Sequence, residues 1–219
     1  MPLAVLFRDS SVAVVDKPAG LAVDEDVLPI AARELAPPGG RAWPRVVHRL
    51  DRGTSGCLLL ALRKEAEEHI LRALDEGLLE KTYLALVRGD PPERATLDTA
   101  YGPDPADKRR FTTRIETPRR ARLSYQVVER LRGAALLRVA LDTGRTHQIR
   151  VQLAESGFPV LGDDVYGAPL ESLSRQGLHA ERLVFPHPVT GLRTECTAKV
   201  PGDLLNAIEG LRVGSNSSR

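Results

Sequence analysis

The chain has 219 residues, of which 42% are hydrophobic and 27% charged, so it can bury a sizeable core and wholesale disorder is excluded. No apolar run approaches the ~20 residues that span a bilayer, and residues 1–4 lack the features of a signal peptide. We therefore expect a cytoplasmic protein with no membrane partner. The net charge is only +2, but 26 of the 31 basic residues are arginine, whose planar fork suits phosphates and stacked bases. A GC-rich coding sequence would give the same excess.

The first part of the chain reads as short strands with two helices. Residues 57–62 are apolar on both faces, which is typical of a strand in the middle of a sheet. Residues 64–75 carry apolar side chains on one helical face. The predicted elements are strands at 3–7, 12–15, 57–62 and 82–87, helices at 27–36 and 64–75, and a break at 37–40.

The second part continues with strands that flank a basic loop. The predicted strands are 94–100, 121–129, 134–141, 179–185 and 193–200, with helices at 147–155 and 203–211. Because strands outnumber helices and short turns join many of them, we predict an α+β fold with a mixed, mainly antiparallel sheet and flanking helices. We expect one domain over residues 1–212 and a frayed tail at 213–219.

The segment 48–56 reads His-Arg-Leu-Asp-Arg-Gly-Thr-Ser-Gly. Asp51 lies between two arginines, whose charges favour its ionised form, and that suits a nucleophile or a base. The glycines allow a backbone to approach closely. A surface loop with an ion pair has the same charge pattern.

Two further segments are candidates for substrate contact. At 141–150 a glycine turn leads into a predicted helix whose first turn can bind a phosphate or another anion. An ordinary capped helix has the same sequence pattern. Tyr83 has both neighbours on the opposite strand face, so its ring is either directed into a cleft or packed as most strand tyrosines are.

A basic run covers residues 108–122, with seven basic residues against one acid. It contains Arg109 and Arg110, and Phe111 lies beside them. Basic charge with an aromatic ring available for stacking fits single-stranded or looped RNA. A solvated basic loop is the alternative.

Six segments resemble, in chain order, the motifs of the RluA-type pseudouridine synthases: residues 16–21, 48–56, 81–85, 143–151, 162–167 and 178–180. The nine-residue motif at 48–56 is specific, and the resemblance runs from about residue 5 to residue 200. It implies a pseudouridine synthase-like fold with a central catalytic cleft. It also implies an isomerase that converts uridine in RNA to pseudouridine without a cofactor or a metal ion.

The resemblance also implies roles for single residues. Asp51 is the expected catalytic aspartate, and Arg150 is expected to form the buried ion pair that holds it. Tyr83 is expected to stack on the target base, and Arg49 to fill the space that the flipped nucleotide leaves. Leu178 is expected to pack against the base pocket. Further residues expected to bind substrate are Arg52, Thr54, Arg145, His147, Gln148, Arg109 and Arg110.

The sequence departs from the family pattern in three places. Gly53 replaces a more common acidic residue, and Gln152 stands where a histidine often occurs. We also expect the N-terminal RNA-binding extension of many relatives to be missing. The RNA substrate stays open between tRNA and ribosomal RNA, and we expect a monomer with no obligate protein partner.

Three other functions are compatible with some of the same residues. A kinase loop is disfavoured because a leucine precedes Asp51 and no Asp-Phe-Gly follows. A glycosidase needs a second catalytic carboxylate, for which Asp163 and Asp164 stay open. The main alternative is a non-catalytic RNA-binding or folding module on the same scaffold.

Overall fold

The computed structural model describes residues 2–36 and 43–212, which contain twelve strands, four α-helices and a short π-helix at Val23–Val27. The strands are β1 (Ala4–Arg8), β2 (Val12–Lys17), β3 (Arg45–Val46), β4 (Ser55–Ala61), β5 (Glu80–Arg88), β6 (Arg94–Ala100), β7 (Gly102–Pro103), β8 (Phe111–Thr112), β9 (Arg120–Leu131), β10 (Ala134–Leu141), β11 (Leu178–Pro186) and β12 (Arg193–Thr197). The α-helices are α1 (Leu28–Glu34), α2 (Lys64–Asp75), α3 (Gln148–Glu155) and α4 (Gly202–Leu211).

The chain forms two compact units. The first comprises Met1–Thr82 and His179–Lys199, and the second comprises Tyr83–Leu178 and Val200–Arg219. Strand β5 begins in the first unit and continues in the second. The predicted break at 37–40 and the predicted tail at 213–219 lie outside the described residues. Within those residues, no helix is long and apolar enough to cross a membrane.

The first unit is built on a mixed sheet. Its strand order is β1-β2-β4-β11, in which only β4 and β11 run parallel, and β12 pairs with the other end of β11. Every residue of β4 is buried, as its continuous apolar run predicts. Helix α2 buries Ala66, Ile70 and Ala73 in the core that also contains Cys57 and Leu59 of β4.

Gly56, the last residue of the motif at 48–56, allows β4 and β11 to approach each other closely. Its φ is +111°, and a Cβ atom there would lie 2.2 Å from the carbonyl oxygen of Ala180. No larger residue fits this position without a backbone shift. The glycine that closes the motif is therefore required by strand packing.

The second unit contains an antiparallel sheet in which β9 lies between β6 and β10, with β5 next to β10. One face of this sheet is covered by α3, where Val151 packs with Tyr101 and Ala121. Helix α4 packs Leu204 and its apolar neighbours onto Leu84 of β5. The alternation along β9 leaves Arg120, Arg122 and Gln126 exposed on the other face.

The predicted α+β class with a mixed, mainly antiparallel sheet is confirmed. The predicted helix at 64–75 and the strands at 94–100 and 134–141 have the observed bounds. The helix predicted at 27–36 is present as α1, with Pro29 in its first turn, and its observed bounds are shorter. The π-helical turn that precedes it was not predicted. The small hairpin of β7 and β8 was not predicted, since two-residue strands carry no periodicity.

Candidate active site

Asp51 lies in the loop of residues 47–54, between β3 and β4. The N–H of Thr54 donates to the carbonyl oxygen of Asp51 at 3.0 Å, which closes a tight turn. The carbonyl oxygen of Arg52 accepts the N–H of Gly20 at 2.8 Å. The backbone on both sides of Asp51 is thus fixed, and its carboxyl group is carried on an ordered turn.

Lys17, in the interior of the first unit, stabilises the turn that contains Asp51. Its side chain is fully buried, and its ammonium group donates to the carbonyl oxygens of Pro18, Leu21 and Arg52 at 2.8–3.2 Å. Three acceptors compensate the cost of burying the charge. No role for Lys17 was predicted from the sequence, although it continues the run of buried residues in β2 and that position was the available signal.

The two arginines beside Asp51 have carboxylate partners on the π-helical turn. Arg52 contacts Glu25 at 2.9 Å and Asp26 at 3.3 Å, and Arg49 lies 3.6 Å from Asp24. The guanidinium groups are largely exposed, so these pairs contribute little stability. They are of the kind that an RNA phosphate can replace.

His48 and Ser55 anchor the two ends of the loop. The Nε2 atom of His48 accepts the N–H of Leu59 at 3.0 Å, and the Ser55 hydroxyl lies 2.9 Å from Nδ1 of buried His179. Burial lowers the pKa of His48 to about 3, and the charge of Lys81 contributes to the same shift. His48 is therefore a neutral imidazole at physiological pH, with its proton on Nδ1.

Arg150 forms a buried two-point ion pair with Asp163 in the second unit. The Nε and Nη2 atoms lie 2.6 and 2.9 Å from the two carboxylate oxygens, and the side chains are 5% and 0% exposed. Asp163 also accepts the N–H groups of Val165 and Tyr166. Burial alone would raise the pKa of Asp163, but these donors, led by Arg150, lower it below the ordinary value. The expected pair of Arg150 with Asp51 stays a prediction.

Tyr166 connects Arg150 to the basic loop. Arg150 and Arg110 both contact its ring, with guanidinium carbons 5.2 and 5.0 Å from the centroid. Its hydroxyl oxygen accepts the N–H of Phe111 at 2.9 Å and lies 3.1 Å from Nδ1 of His147. Tyr166 is a functional candidate for which no role was predicted from the sequence, and Asp163 was considered only as a second carboxylate of a glycosidase. Both residues lie in the quoted segment 162–167.

The β7–β8 hairpin is docked onto helix α3. Glu155 accepts hydrogen bonds from the hydroxyl groups of Thr112 and Thr113 and from the N–H of Thr113. Phe111 stacks on Tyr101, with ring centroids 5.8 Å apart and planes 14° from parallel. The aromatic residue of the basic run is thus used for packing, and the hairpin presents its arginines from a fixed base.

Gln148 is held by hydrogen bonds within the protein, and its expected contact with substrate stays a prediction. Its side chain is buried, and its amide oxygen accepts the Thr143 hydroxyl and the Arg145 N–H. Its amide nitrogen donates to the carbonyl of Arg122 and to Gln152. All four hydrogen-bonding positions of the amide are used within the protein. Gln148 holds the glycine turn against β9 and α3.

Three other predicted residues differ in their exposure to solvent. Tyr83 and Leu178 are buried, and Tyr83 lies on the face of β5 opposite to Leu84. Arg109 is exposed and forms a two-point ion pair with Asp107, which lowers the pKa of that carboxyl to about 2. Arg109 therefore presents a locally balanced charge.

The structure brings the predicted residues together within each unit. The first unit groups Arg49, Asp51, Arg52 and Thr54 on one loop, and the second groups Arg110, Arg145, His147, Gln148 and Arg150 around α3. In the described part of the chain, no three His, Cys, Asp or Glu side chains cluster as metal ligands would.

Comparisons with known proteins show which family the chain resembles. A profile of the family described as RNA pseudouridylate synthase matches residues 11–155. A Chloroflexus aurantiacus protein named as an uncharacterized RNA pseudouridine synthase is 44% identical over 169 residues, which are 76% of this chain and 53% of that relative. Ribosomal large subunit pseudouridine synthase D of Xanthomonas campestris is 37% identical, over 98% of this chain and 71% of its own.

A solved structure has the same fold. Human RNA pseudouridylate synthase domain containing 1 aligns with a TM-score of 0.79 and 28% identity, over 91% of this chain and 84% of that one. The match to the family covers most of the chain, and it includes both the Asp51 loop and Arg150. The chain therefore belongs to the RNA pseudouridylate synthase family, the enzymes that isomerise uridine in RNA to pseudouridine.

Proposed function

We propose that this chain converts uridine in large-subunit ribosomal RNA to pseudouridine, with Asp51 as the catalytic carboxylate. The observation that carries the proposal is the Asp51 turn, which is held by Lys17, Gly20 and His48. The choice of RNA is supported by the names of relatives 32–37% identical to this chain, which are ribosomal large subunit pseudouridine synthases. A monomer in the cytoplasm suits such a substrate.

The reaction is an isomerisation and needs no external electrons. The N1–C1′ bond of uridine breaks, the uracil turns, and C5 bonds to C1′ while the C5 proton is lost and N1 is protonated. A single carboxylate can act on the sugar, at C1′ or at the C2′ proton, or on the base at C6. Each route requires the carboxylate at a fixed position beside the nucleotide, because misplacement of a reacting group by about 1 Å costs about 100-fold in rate.

The protein's own residues supply that position. The ammonium of Lys17 and the N–H of Gly20 both bond the carbonyl of Arg52, the residue after Asp51. His48 fixes the loop three residues earlier through the N–H of Leu59. Anchors on both sides of Asp51 limit its movement when the RNA binds.

Tyr83 is proposed to stack on the flipped base, and Arg49 to occupy the space that the base leaves in the RNA. Extruding a stacked base costs a few kcal/mol. Stacking the uracil on Tyr83 would return about 1–3 kcal/mol. Arg49 is mostly exposed and only loosely paired with Asp24, so its guanidinium can leave that partner and stack on the bases that remain in the RNA.

Arg150 is proposed to supply the positive charge that holds Asp51 ionised, with Asp163 fixing its orientation. Arg110 is proposed to bind RNA phosphate, and its contact with the ring of Tyr166 sets its direction. Arg145 and His147 lie in the same region and are proposed to contribute further contacts to the RNA.

Mapping of pseudouridine in total RNA, with and without the gene, tests this proposal. The expected result is the loss of a modified position in large-subunit ribosomal RNA, restored by the wild-type gene and not by Asp51→Asn. Loss confined to tRNA would overturn the choice of RNA. Full restoration by Asp51→Asn would overturn the role of Asp51. RNA binding by the purified protein without tritium release from C5-labelled uridine would support the alternative, a non-catalytic RNA-binding module.

A further inference from the structure

Arg175 is a nearly buried arginine that the proposed mechanism does not use. Its side chain is 11% exposed, and it lies in the second unit, in the segment between α3 and β11. The Nε and Nη2 atoms of its guanidinium group donate to the two carboxylate oxygens of Asp203 at 2.6 and 2.9 Å. Asp203 lies in the first turn of α4, so this two-point pair connects the segment to the helix.

The remaining nitrogen of the guanidinium group bonds the backbone where β11 begins. The Nη1 atom of Arg175 donates to the carbonyl oxygens of Gln176 and Leu178 at 3.1 and 3.3 Å. The N–H of Leu178 in turn donates to the carbonyl of Gln176 at 2.7 Å, which closes a three-residue turn. One side chain therefore bonds both ends of the turn, and the backbone at Leu178 is fixed by an arginine that Asp203 orients.

The backbone of this segment is packed closely against its neighbours. A Cβ atom at Gly162, whose φ is +76°, would lie 2.0 Å from the carbonyl oxygen of Arg175. The N–H of Gly177 donates to the carbonyl of Leu161, and its carbonyl accepts the N–H of Leu86, both at 2.8 Å. These contacts are made by the backbone, whereas Arg175 contributes its bonds through a side chain. A substitution can therefore remove them and leave the backbone pairing in place.

Helix α4 supplies a fixed base for the pair. Its residue Leu204 is fully buried in the hydrophobic core of the second unit, and the N–H of Leu204 donates to Oδ1 of Asp203 at 2.7 Å. The hydrogen bond from Arg175 is the main cause that lowers the pKa of the Asp203 carboxyl. Asp203 is thus a carboxylate at neutral pH, and the start of a helix favours its negative charge.

We propose that Arg175, oriented by Asp203, is a positioning residue that holds Leu178 against the target uracil. This inference rests on the proposed function and on the predicted contact of Leu178 with the base. Arg175 acts through Leu178 and not on the RNA itself. The inference also gives α4 a part in the reaction, because this helix carries the carboxylate that orients Arg175.

Single-turnover tritium release from RNA labelled at uridine C5 tests the inference, with Arg212→Met as the matched control for Arg175→Met. Arg212 forms a two-point pair with Glu129 at 2.8 and 3.1 Å, about 13 Å along α4 from Asp203. Arg175→Met should lower the maximal rate about 10- to 100-fold, because misplacement by about 1 Å has that effect. The half-saturating enzyme concentration should change less than about 3-fold, since binding of the RNA backbone is kept. Arg212→Met should stay within about 2-fold of the wild type in both quantities.

A double-mutant cycle shows whether Arg175 acts through Leu178. Leu178→Ala alone should lower the maximal rate, and adding Arg175→Met to it should cost less than about 2-fold more. Asp203→Asn covers the case in which Arg175→Met does not fold, because its amide oxygen can keep the bond from Leu204. It should lower the maximal rate in the same direction but less, since Asp203 is half-exposed.

The methyl NMR signals of Leu178 report its position in the protein without RNA. They are assigned by their loss in Leu178→Ala. These signals should shift or broaden in Arg175→Met and in Asp203→Asn, and they should keep their wild-type positions in Arg212→Met.

The outcomes separate this inference from the proposed function. If the wild type releases tritium and Arg175→Met does so at the same maximal rate, the inference is overturned and the function stands. The same conclusion follows if Arg212→Met is equally slow, if Arg175→Met costs as much in Leu178→Ala as in the wild type, or if the Leu178 methyl signals do not respond to Arg175→Met and Asp203→Asn. If the wild type releases no tritium from any cellular RNA, the proposed function has failed and the inference fails with it.

Discussion

Asp163→Asn removes the negative charge of the buried ion pair and keeps the shape of the side chain. Arg150 then stays buried, 5% exposed, beside a neutral amide whose NH₂ group faces the guanidinium. Breaking a buried pair by removing one partner costs about 3–5 kcal/mol, because the remaining charge loses that partner. Both backbone N–H groups that Asp163 accepts bond its Oδ1 atom, and the amide oxygen of asparagine can keep them, so we expect a loss within this range from the ion pair alone. Total stabilities are about 5–15 kcal/mol, so the loss is large.

Urea unfolding at pH 7 measures this loss, and Asp164→Asn is the matched control. Asp164 is the adjacent residue and is exposed, so its substitution should change the free energy of unfolding by less than about 0.5 kcal/mol. The sign of the pH dependence is also fixed. The pKa of Asp163 is lowered on folding, so its contribution is complete above the ordinary value of 3.8 and is lost as the pH falls through the lower folded value.

The difference between wild type and Asp163→Asn should therefore stay constant from pH 7 to about pH 5 and shrink in more acidic solution. A loss below about 1 kcal/mol at pH 7, or an equal loss in Asp164→Asn, would refute the assignment of a buried, mutually dependent pair.

Three further substitutions test the Asp51 loop and its surroundings. Lys17→Met should lower the free energy of unfolding by about 3 kcal/mol, because three carbonyls lose a charged donor, while Lys64→Met should have almost no effect in the same urea titration. His48→Gln should remove a pH dependence: in the wild type, stability should fall by about 1.4 kcal/mol per pH unit below 6.5 and towards 3, since the unfolded histidine takes up a proton that the folded one excludes. Equal slopes in both proteins between pH 6 and 5 would contradict the buried neutral ring. Gly56→Ala should cost about 3 kcal/mol or more in thermal or urea unfolding, because its Cβ would overlap the backbone of β11. Gly77→Ala, at a φ of +73° with open space around it, should cost about 1 kcal/mol.

The sequence correctly predicted the elements whose pattern extends over many residues. The continuous apolar run of β4 and the apolar face of α2 each involve several side chains, so their signals add. The π-helical turn and the β7–β8 hairpin were missed because each depends on a few hydrogen bonds. For the turn these include the carboxylate of Asp26 accepting the N–H of Ala22.

The sequence predicted which residues belong to the candidate site, but it did not predict the contacts between them. The motifs indicated Asp51, Tyr83 and Arg150, but the partner of Arg150 seen within its own unit is Asp163, thirteen residues further along the chain. Lys17 reaches the carbonyl of Arg52, 35 residues away. Such partners follow from the three-dimensional path of the chain, and a single sequence carries no periodic signal for them.

The most direct test of the account is tritium release from RNA labelled at uridine C5, measured for the wild type and for Asp51→Asn. The account predicts that Asp51→Asn binds the RNA with near wild-type affinity, unfolds at the wild-type urea concentration and releases no tritium. Release by Asp51→Asn above a trace, at any RNA concentration, would show that another group performs the chemistry.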